Sequence, residues 1–314
     1  MIVAREVTAW QSESRPLCAA VGFFDGVHRG HRQVIAETIA ESKVLGGHAW
    51  VLTFEPHPLK VLNPAIAPRL ITGLTHKLRL LEALGVDGGI VIPFTRELAA
   101  LSPEQFVELV AGNTPGGSVF FVGQNWRFGK ERSGDATRFA RLAGERGCLA
   151  MIARSVLEEE DMVSSTRVRE SIARGDLTGA ARLLGREFSV EGTVVKGAAR
   201  GRELGYPTAN IDTECEALPP YGIYAARVRI DETLHDAVLS YGVRPTFERD
   251  ADSAAIIEVH LLDHARDLYG ERVEVFFLDR IREERAFDNV EALKAEMARD
   301  LEAARALLAT ENAP

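Results

Sequence analysis

The chain has 314 residues, of which 46% are hydrophobic and 26% charged, and its formal net charge is −9. This length is enough for two domains, and the composition is that of an ordinary globular protein. The negative charge, without a basic stripe interleaved with aromatic residues, argues against general nucleic-acid binding.

Cysteine usage and the first residues of the chain indicate where the protein works. Cys18, Cys148 and Cys215 are widely spaced and form no CxxC pair, so neither a disulfide framework nor a zinc site is indicated. Residues 1–10 lack the apolar segment of a signal peptide, and no apolar run reaches transmembrane length. We therefore expect a cytoplasmic protein with no membrane partner.

The first half of the chain alternates strand and helix patterns. Apolar runs predict strands, and apolar residues at helical spacing predict helices. The alternation favours a Rossmann-like α/β fold, with a mostly parallel sheet covered by helices on both faces. The predicted elements are strand Leu17–Val21, helix Arg32–Leu45, strand Ala49–Phe54, helix Leu74–Leu84, strand Gly89–Pro93, helix Pro103–Val110, strand Val119–Val122, helix Ala136–Arg146 and strand Leu149–Ala153.

The segment Gly22–His31, with the sequence GFFDGVHRGH, joins the first of these strands to the first helix. Gly26 and Gly30 let the backbone come close to a ligand. His28 and His31 are three residues apart, so they share one face of a helical turn. A helix N-terminus favours phosphate, and two imidazoles there can donate hydrogen bonds to phosphate oxygens. Helix capping or metal binding is the alternative interpretation.

After Phe188 the pattern changes to short strands separated by turns, which favours an antiparallel β-barrel. Residues Arg167–Leu184 predict two short helices broken at Gly175, and we place the domain boundary near residue 186, giving domains 1–186 and 187–314. The predicted strands are Val190–Val195, Tyr224–Ile230, Ala237–Tyr241, Ile256–Leu262 and Val273–Leu278, and a terminal helix follows with Val290, Leu293, Met297, Leu301, Ala304 and Leu308 on one face.

Two elements of the second half carry polar chemistry. The glycine-rich stretch Gly197–Asn210, GAARGRELGYPTAN, predicts a loop able to wrap phosphates. Within it, Thr208 and Asn210 offer hard oxygen ligands suited to Mg²⁺. Glu258 shares a strand face with His260, among apolar neighbours where an unused carboxylate is expensive. A cross-strand arginine partner is the alternative to a catalytic role for Glu258.

These motifs occur in an order that resembles the bacterial riboflavin kinase/FMN adenylyltransferase family. Residues 24–31 match its FDGxHxGH form of the nucleotidyltransferase HxGH signature. Trp126 and Tyr206 stand where phenylalanine is usual, and the resemblance runs from about residue 15 to 305. The further matches are TFxPHP at residues 53–58, GxxFxFG at residues 123–129, SSTxxR at residues 164–169 and PTAN at residues 207–210.

The resemblance implies that the first domain transfers the adenylyl group of ATP to FMN, giving FAD and pyrophosphate. His28 and His31 would be its catalytic residues. By themselves, residues 56–58 are also compatible with an ordinary turn and residues 164–166 with a helix N-cap. The residues implied for ATP and its phosphates are Gly22, Phe24, Asp25, Gly26, Gly30, Ser164, Ser165, Thr166 and Arg169. Those implied for FMN are Pro56, His57, Pro58, Asn125, Trp126 and Phe128.

The resemblance further implies that the second domain phosphorylates riboflavin to FMN with ATP. Glu258 would accept the proton of the riboflavin 5′-hydroxyl, and Thr208 and Asn210 would hold Mg²⁺, which both steps require. Residues 242–247 and 267–270 would form pocket walls or turns. The residues implied for ATP and flavin in this domain are Gly197, Gly201, Arg202, Gly205, Pro207, Arg282 and Phe287.

The implied partners are the small-molecule substrates riboflavin, FMN and ATP, and we expect a monomer or a weak homo-oligomer. A flavin-binding regulatory module with only one or neither activity is the alternative from another functional class. Tight flavin binding without ATP turnover would support that alternative.

Overall fold

The computed structural model describes residues 1–11, 15–112, 114–197, 201, 204–243, 255–262 and 266–311. The chain divides into two compact units, Met1–Arg69 with Leu74–Ser165, and Leu70–Gly73 with Thr166–Pro314. The residues just before position 186 therefore group with the second unit by their contacts. A functional boundary near residue 186 stays a prediction.

The N-terminal unit alternates strands and helices, as the hydrophobic pattern predicts. Its strands are β1 (Ile2–Ala4), β2 (Leu17–Val21), β3 (His48–Glu55), β4 (Gly88–Pro93), β5 (Val119–Val122), β6 (Arg127–Phe128), β7 (Gly134–Asp135), β8 (Leu149–Ile152), β9 (Leu157–Glu158) and β10 (Asp161–Met162). Its helices are α1 (Thr8–Gln11), α2 (Arg29–Leu45), α3 (Pro58–Leu62), α4 (Leu74–Glu82), α5 (Arg96–Ala99), α6 (Pro103–Ala111) and α7 (Ala136–Gly144).

Six of these strands form one parallel sheet in the order β1-β4-β3-β2-β5-β8. Every residue of β2 is buried, as expected for a central strand covered on both faces. One face packs against Ile35 of α2 and Leu81 of α4, and the other against Phe106 of α6 and Phe139 of α7. The predicted parallel α/β arrangement is confirmed.

The strand order reverses at β2, because β3 lies on one side of it and β5 on the other. In open α/β sheets, ligands bind outside the carboxyl ends of the strands at such a reversal. Three of the predicted motifs begin at these ends. Residues 22–31 follow β2, residues 56–58 of the element at 53–58 follow β3, and residues 123–129 follow β5. The sheet therefore gathers them at one edge.

The C-terminal unit contains a closed antiparallel barrel with strand order β11-β12-β15-β14-β13-β16. The predicted barrel with a terminal helix is confirmed. Strand β12 was not predicted, since its sequence ANIDT is largely polar and reads as a loop. The elements are α8 (Ser165–Arg174), α9 (Leu177–Leu184), β11 (Ser189–Val195), β12 (Ala209–Thr213), β13 (Gly222–Ile230), β14 (Thr233–Val243), β15 (Ala255–Leu261), β16 (Arg272–Arg282) and α10 (Val290–Glu311). The first residue of α8, Ser165, is the last residue of the N-terminal unit.

Helix α10 packs on the barrel in two different ways. Near its C-terminus, Ala304 and Leu308 are buried in an apolar cluster with Phe276 of β16. Earlier in the helix the buried face is acidic, because Glu296 and Asp300 are only 7% and 5% exposed. Asp300 takes two hydrogen bonds from the Arg282 guanidinium, at 2.8 and 2.7 Å. The helix is therefore attached to the barrel by the Arg282–Asp300 ion pair as well as by apolar contacts.

Replacing Asp300 by alanine is expected to lower the free energy of unfolding by about 2 kcal/mol, because it leaves the largely buried Arg282 without its bidentate partner. Chemical denaturation of the full chain measures this loss. Glu302→Ala removes an exposed carboxylate from the same helix and serves as the control. Equal denaturation midpoints for Asp300→Ala and Glu302→Ala would show that the Arg282–Asp300 ion pair does not stabilise the C-terminal unit.

The three cysteines are buried and free of disulfide bonds. Burial, with a smaller contribution from Glu41, raises the pKa of Cys18 to about 11, so this thiol stays protonated at neutral pH. Among the described residues, no helix has both the length and the apolar character needed to cross a bilayer.

Candidate active sites

A strained turn connects β2 to α2 at the edge where the three motifs meet. Phe24, Gly26 and Val27 all have left-handed backbone, with φ of 57, 77 and 43°. Positive φ is ordinary for glycine but strained for phenylalanine and for the β-branched valine. Strained residues of this kind persist only where surrounding contacts over-determine the turn, and they concentrate at functional sites.

His28 and His31 come together directly after this turn. Their rings stack with centroids 3.6 Å apart and planes inclined by 18°. His28 is 5% exposed and caps α2, since its Nδ1 accepts a hydrogen bond from the His31 backbone N–H at 3.3 Å. An accepting Nδ1 leaves the proton of the neutral ring on Nε2, so Nε2 of His28 is a hydrogen-bond donor.

Two glycines make room for this arrangement. A Cβ on Gly30 would lie 3.2 Å from the His28 ring, and a Cβ on Gly22 would lie 3.0 Å from the Phe24 ring. Both distances are tighter than ordinary van der Waals contact. Gly22 and Gly30 therefore leave room for the neighbouring rings of the turn, while the close approach of a ligand at Gly26 and Gly30 stays a prediction.

Further residues predicted for the first site contact the turn or lie on α8. Ser165 Oγ donates to the Asp25 carbonyl oxygen at 3.0 Å, which attaches the start of the SSTxxR element to it. Arg169 follows one helical turn after Ser165 on α8. His57 caps α3 by accepting from the Leu59 N–H at 3.1 Å. Its ring meets Phe23, with the centroids 4.5 Å apart.

The predicted flavin-side residues after β5 form part of an aromatic cluster. Trp126 stacks on Phe128 at 4.8 Å and meets the edge of Phe139 at 5.2 Å. Asn125 Nδ2 contacts Met162 Sδ at 3.4 Å. The tryptophan that replaces the usual phenylalanine is therefore accommodated by packing against its neighbours.

Glu258 of the C-terminal unit lies beside two polar residues on the outward face of the barrel. In the strand register it is opposite Asn210 of β12 and opposite Ser240 of β14. Directly opposed residues have side chains on the same face, with Cβ atoms about 5 Å apart. The barrel thus brings the predicted base and a predicted Mg²⁺ ligand together, although 47 positions separate them in the sequence. Ser240 was not predicted, because no motif in the neighbouring sequence distinguishes it.

The glycine-rich stretch closes on the PTAN residues. A Cβ on Gly197 would lie 2.2 Å from Asn210 Nδ2, and a Cβ on Gly201 would lie 3.0 Å from Thr208 Oγ1. Gly205 has φ of +92°. A hydroxyl and an amide carbonyl two residues apart, each packed against a glycine, are a donor set that fits Mg²⁺ bound together with phosphate oxygens. Residues 198–200 and Arg202, which was predicted to bind substrate, lie outside the described residues.

A cavity of about 330 Å³ adjoins this loop. Its walls include the inward-facing Val259 and Leu261 of the barrel and the predicted wall residues Asp267, Leu268 and Tyr269. Pro207 and Thr208 also line it. His260 Nδ1 lies 2.8 Å from the Pro207 carbonyl oxygen, which secures this rim to β15. Residues 244–247, the other predicted wall, lie outside the described residues.

Arg282 and Phe287, predicted to contact flavin, lie at the end of β16 and in the segment after it. The Arg282 guanidinium is bound by Asp300 and lies 5.8 Å from the centroid of the Phe287 ring. Nearby, Glu284 packs against Gly242, where a Cβ would lie 1.9 Å from its carboxylate oxygen. Partial burial raises the pKa of Glu284, the Val243 N–H and Arg282 oppose this, and Glu258 adds to it. Glu284 is thus a further carboxylate near Glu258 that no motif had marked.

Comparison with known families divides the chain in the same order as the motifs. A family model described as FAD synthetase matches residues 10–167, and a model described as riboflavin kinase matches residues 184–308. Full-length relatives are named bifunctional riboflavin kinase/FMN adenylyltransferase. The Pseudomonas fluorescens protein is 37% identical and covers 98% of both chains, and the Listeria monocytogenes protein is 38% identical over 92% of both. The Escherichia coli K12 protein is 36% identical over 89% of both.

A solved structure also matches over nearly the whole length. It is titled a macrolide-efflux protein from Streptococcus pneumoniae, and it superimposes with a TM-score of 0.80 at 29% identity, covering 97% of this chain and 98% of that one. Its title names a different activity for that protein. What the match contributes here is the shared architecture.

Proposed function

Because the chain belongs to the bifunctional riboflavin kinase/FMN adenylyltransferase family, we propose which of its residues perform each of the two reactions. The enzyme phosphorylates riboflavin to FMN with ATP and then transfers the adenylyl group of a second ATP to FMN, giving FAD and pyrophosphate. The assignment is supported most by one observation for each reaction. These are the stacked His28–His31 pair at the strand reversal and the pairing of Glu258 with Asn210.

Adenylyl transfer needs positioning and charge neutralisation rather than a side-chain nucleophile. A phosphate oxygen of FMN attacks the α-phosphorus of ATP, and the bond from that phosphorus to the pyrophosphate oxygen breaks. In our proposal the Nε2–H of His28, the His31 ring and the N-terminus of α2 stabilise the charge on the phosphates. Phe24, Asp25 and the glycines 22, 26 and 30 shape the turn that presents them.

The remaining motif residues of the first domain are assigned to the two substrates. Ser164, Ser165, Thr166 and Arg169 would bind the phosphates and the leaving pyrophosphate. Pro56, His57 and Pro58 after β3, and Asn125, Trp126 and Phe128 after β5, would bind FMN. The support for the FMN assignment is that both segments follow strands that flank β2.

For the kinase reaction we assign Glu258 as general base. It would accept the proton of the riboflavin 5′-hydroxyl while that oxygen attacks the γ-phosphorus of ATP and ADP departs. Mg²⁺ held by Thr208 and Asn210 would supply neutralising charge to the phosphates. Gly197, Gly201, Gly205 and Arg202 would form the phosphate loop, and Pro207, which lines the 330 Å³ cavity beside it, would contact ATP or flavin. Arg282 and Phe287 stay proposed as flavin neighbours.

The domain boundary near residue 186, a cytoplasmic location and a monomeric or weakly oligomeric state are further proposals. Three buried, free cysteines support a reducing compartment. Light scattering of the purified chain over a concentration series tests the oligomeric state.

A time course with riboflavin, ATP and Mg²⁺, with flavins separated by chromatography, tests the two activities in one chain. We expect FMN to appear first and FAD to follow. Accumulation of FMN alone would contradict the assignment of the N-terminal site. Flavin that stays bound and unconverted would instead support a binding module.

Gly197→Ala is expected to lower the kinase rate by about tenfold or more, because the added Cβ would occupy the place of the Asn210 amide and displace it. FAD formation from supplied FMN is expected to stay unchanged, which shows that the chain is folded. Gly144→Ala makes the same chemical change in α7, where a Cβ meets open space, and is the control. An unaltered kinase rate in Gly197→Ala would contradict the role given to Asn210.

A further inference from the structure

Lys77 is a buried lysine of the N-terminal unit that no motif had marked. It lies on α4 and is 1% exposed, and Leu81, four residues later on the same helical face, is fully buried. Burying an ammonium costs free energy unless its N–H groups and its charge are compensated. The contacts of this side chain therefore indicate what the protein gains from keeping it.

Lys77 makes two contacts with Phe23, the residue just before the turn. Its Nζ donates to the Phe23 carbonyl oxygen at 3.3 Å and lies 4.2 Å from the centroid of the Phe23 ring. Thr53 Oγ1 donates to the same carbonyl oxygen at 2.9 Å. The Phe23 ring also meets His57, with centroids 4.5 Å apart. Phe23 is thus held through both its carbonyl group and its ring.

Phe23 immediately precedes the left-handed turn that leads into the histidine pair. Phe24 and Val27 adopt positive φ there, which costs each of them free energy. A turn of this kind needs fixed neighbours on both sides. Ser165 holds the Asp25 carbonyl, while Lys77 and Thr53 hold the residue before the turn.

We propose that Lys77 is a positioning residue of the adenylyltransferase site. Its ammonium fixes Phe23, and the turn that starts there aims His28 and His31 at the substrate phosphates. The inference rests on the function proposed above for these two histidines. Lys77 is too deeply buried to touch substrate, so it acts through the turn.

The charged and titratable groups around Lys77 give this role a pH dependence. Asp25 of the turn and Glu55 at the end of β3 interact electrostatically with it, His57 contacts the Phe23 ring, and His76 precedes it on α4. Burial lowers the pKa of Lys77 from 10.5 to about 8, outweighing Glu55 and Asp25, which raise it. The ammonium is therefore present below about pH 8 and is lost above it. Its hold on the Phe23 ring, a cation–π contact, weakens at the same time.

Above about pH 8 the positioning effect of Lys77 is expected to weaken, whereas its contribution to folding stability is expected to rise. Between pH 8 and 10.5 the unfolded chain binds the Lys77 proton and the folded chain does not. The contribution of Lys77 to the free energy of unfolding therefore rises with pH in this range. A neutral side chain at this position is accordingly not expected to destabilise the fold at neutral pH. Loss of activity without loss of stability is the signature of a positioning role.

The test compares Lys77→Met and Lys77→Arg with the parent chain. For each, FAD formation from supplied FMN and FMN formation from riboflavin are measured between about pH 6.5 and 9.5. Lys77→Met is expected to lower kcat for FAD formation by about 10- to 100-fold, with little change in the KM for ATP, in the kinase rate or in the unfolding midpoint. Lys43→Met, at an exposed position on α2, is the control and should match the parent.

The pH profiles separate this role from a merely structural one. In the parent, the ratio of the FAD-forming rate to the kinase rate should fall above about pH 8. In Lys77→Met it should be low and flat, and in a folded Lys77→Arg, which keeps its charge, the fall should disappear.

Two results would overturn the inference. One is a rate of FAD formation within twofold of the parent in Lys77→Met. The other is a joint loss of both activities with a lowered unfolding midpoint, which would make Lys77 a structural residue. His28→Ala, measured beside these variants, distinguishes failure of this inference from failure of the proposed site. An active His28→Ala would show that the histidine pair is not needed for FAD formation, which is the premise of this inference.

Discussion

Replacing His28 by alanine is expected to lower the rate of FAD formation from supplied FMN by about 10²- to 10³-fold. Losing a preorganised donor that faces charge developing in the transition state has an effect of this size. The donor here is the Nε2–H, since Nδ1 is occupied by the His31 N–H. Phosphorylation of riboflavin by the same chain should be unchanged.

The structure also gives His28 a second role, and the test must separate the two. Because His28 caps α2, alanine removes the cap at a cost of about 1 kcal/mol of stability as well as the donor. His28→Asn retains an oxygen that can accept the His31 N–H, so it should restore stability but not rate. Full activity in His28→Asn would mean that the histidine is only a cap. His48→Ala, a histidine at the start of β3, is the matched control and should behave as the parent.

The second large effect is expected at Glu258. Glu258→Gln keeps the size of the side chain and its hydrogen-bonding capacity but removes the proton acceptor. We expect a loss of about 10²- to 10⁴-fold in FMN formation, the range attributed to general acid–base catalysis. FAD formation from supplied FMN should not change, because the N-terminal unit carries that reaction.

A structural role for Glu258 makes a different prediction. If the carboxylate mainly paired with a neighbouring strand, Glu258→Gln would lower the unfolding midpoint and spare the kinase rate. Its neighbours in register are Asn210 and Ser240, so the cross-strand positions directly opposite it carry no arginine. Glu232→Gln, at an exposed position just before β14, controls for the loss of one carboxylate from the barrel.

These two variants form a reciprocal pair within one polypeptide. His28→Ala should lose only the adenylyl transfer, and Glu258→Gln only the phosphorylation. Each activity thus reports that the chain carrying the other defect is folded, so a general loss of structure is distinguishable from a local loss of chemistry.

Much of the architecture was predictable because it depends on local patterns. The apolar runs of β2 and β3 are continuous, as buried parallel strands require, and α6 starts with a proline where a helix tolerates it. The predicted elements differ only at their ends, whereas β1, which pairs with β4 at the edge of the sheet, was not predicted. Helix α2, for example, begins at Arg29 rather than Arg32, because the His28 side chain caps it earlier than the apolar spacing indicates.

The sequence by itself therefore determined the two-part organisation, the parallel sheet, the barrel and most of the candidate residues, since motif spacing and hydrophobic period are local properties. Only the tertiary structure decided which of these residues meet. Strand β12 exists because β11 and β15 pair with it on either side, and that pairing places Asn210 against Glu258. Likewise, Lys77 becomes a site residue only when α4 packs beside the turn after β2. Strand register and helix packing bring together residues that are far apart in the chain, and no local sequence pattern specifies which of them will be neighbours.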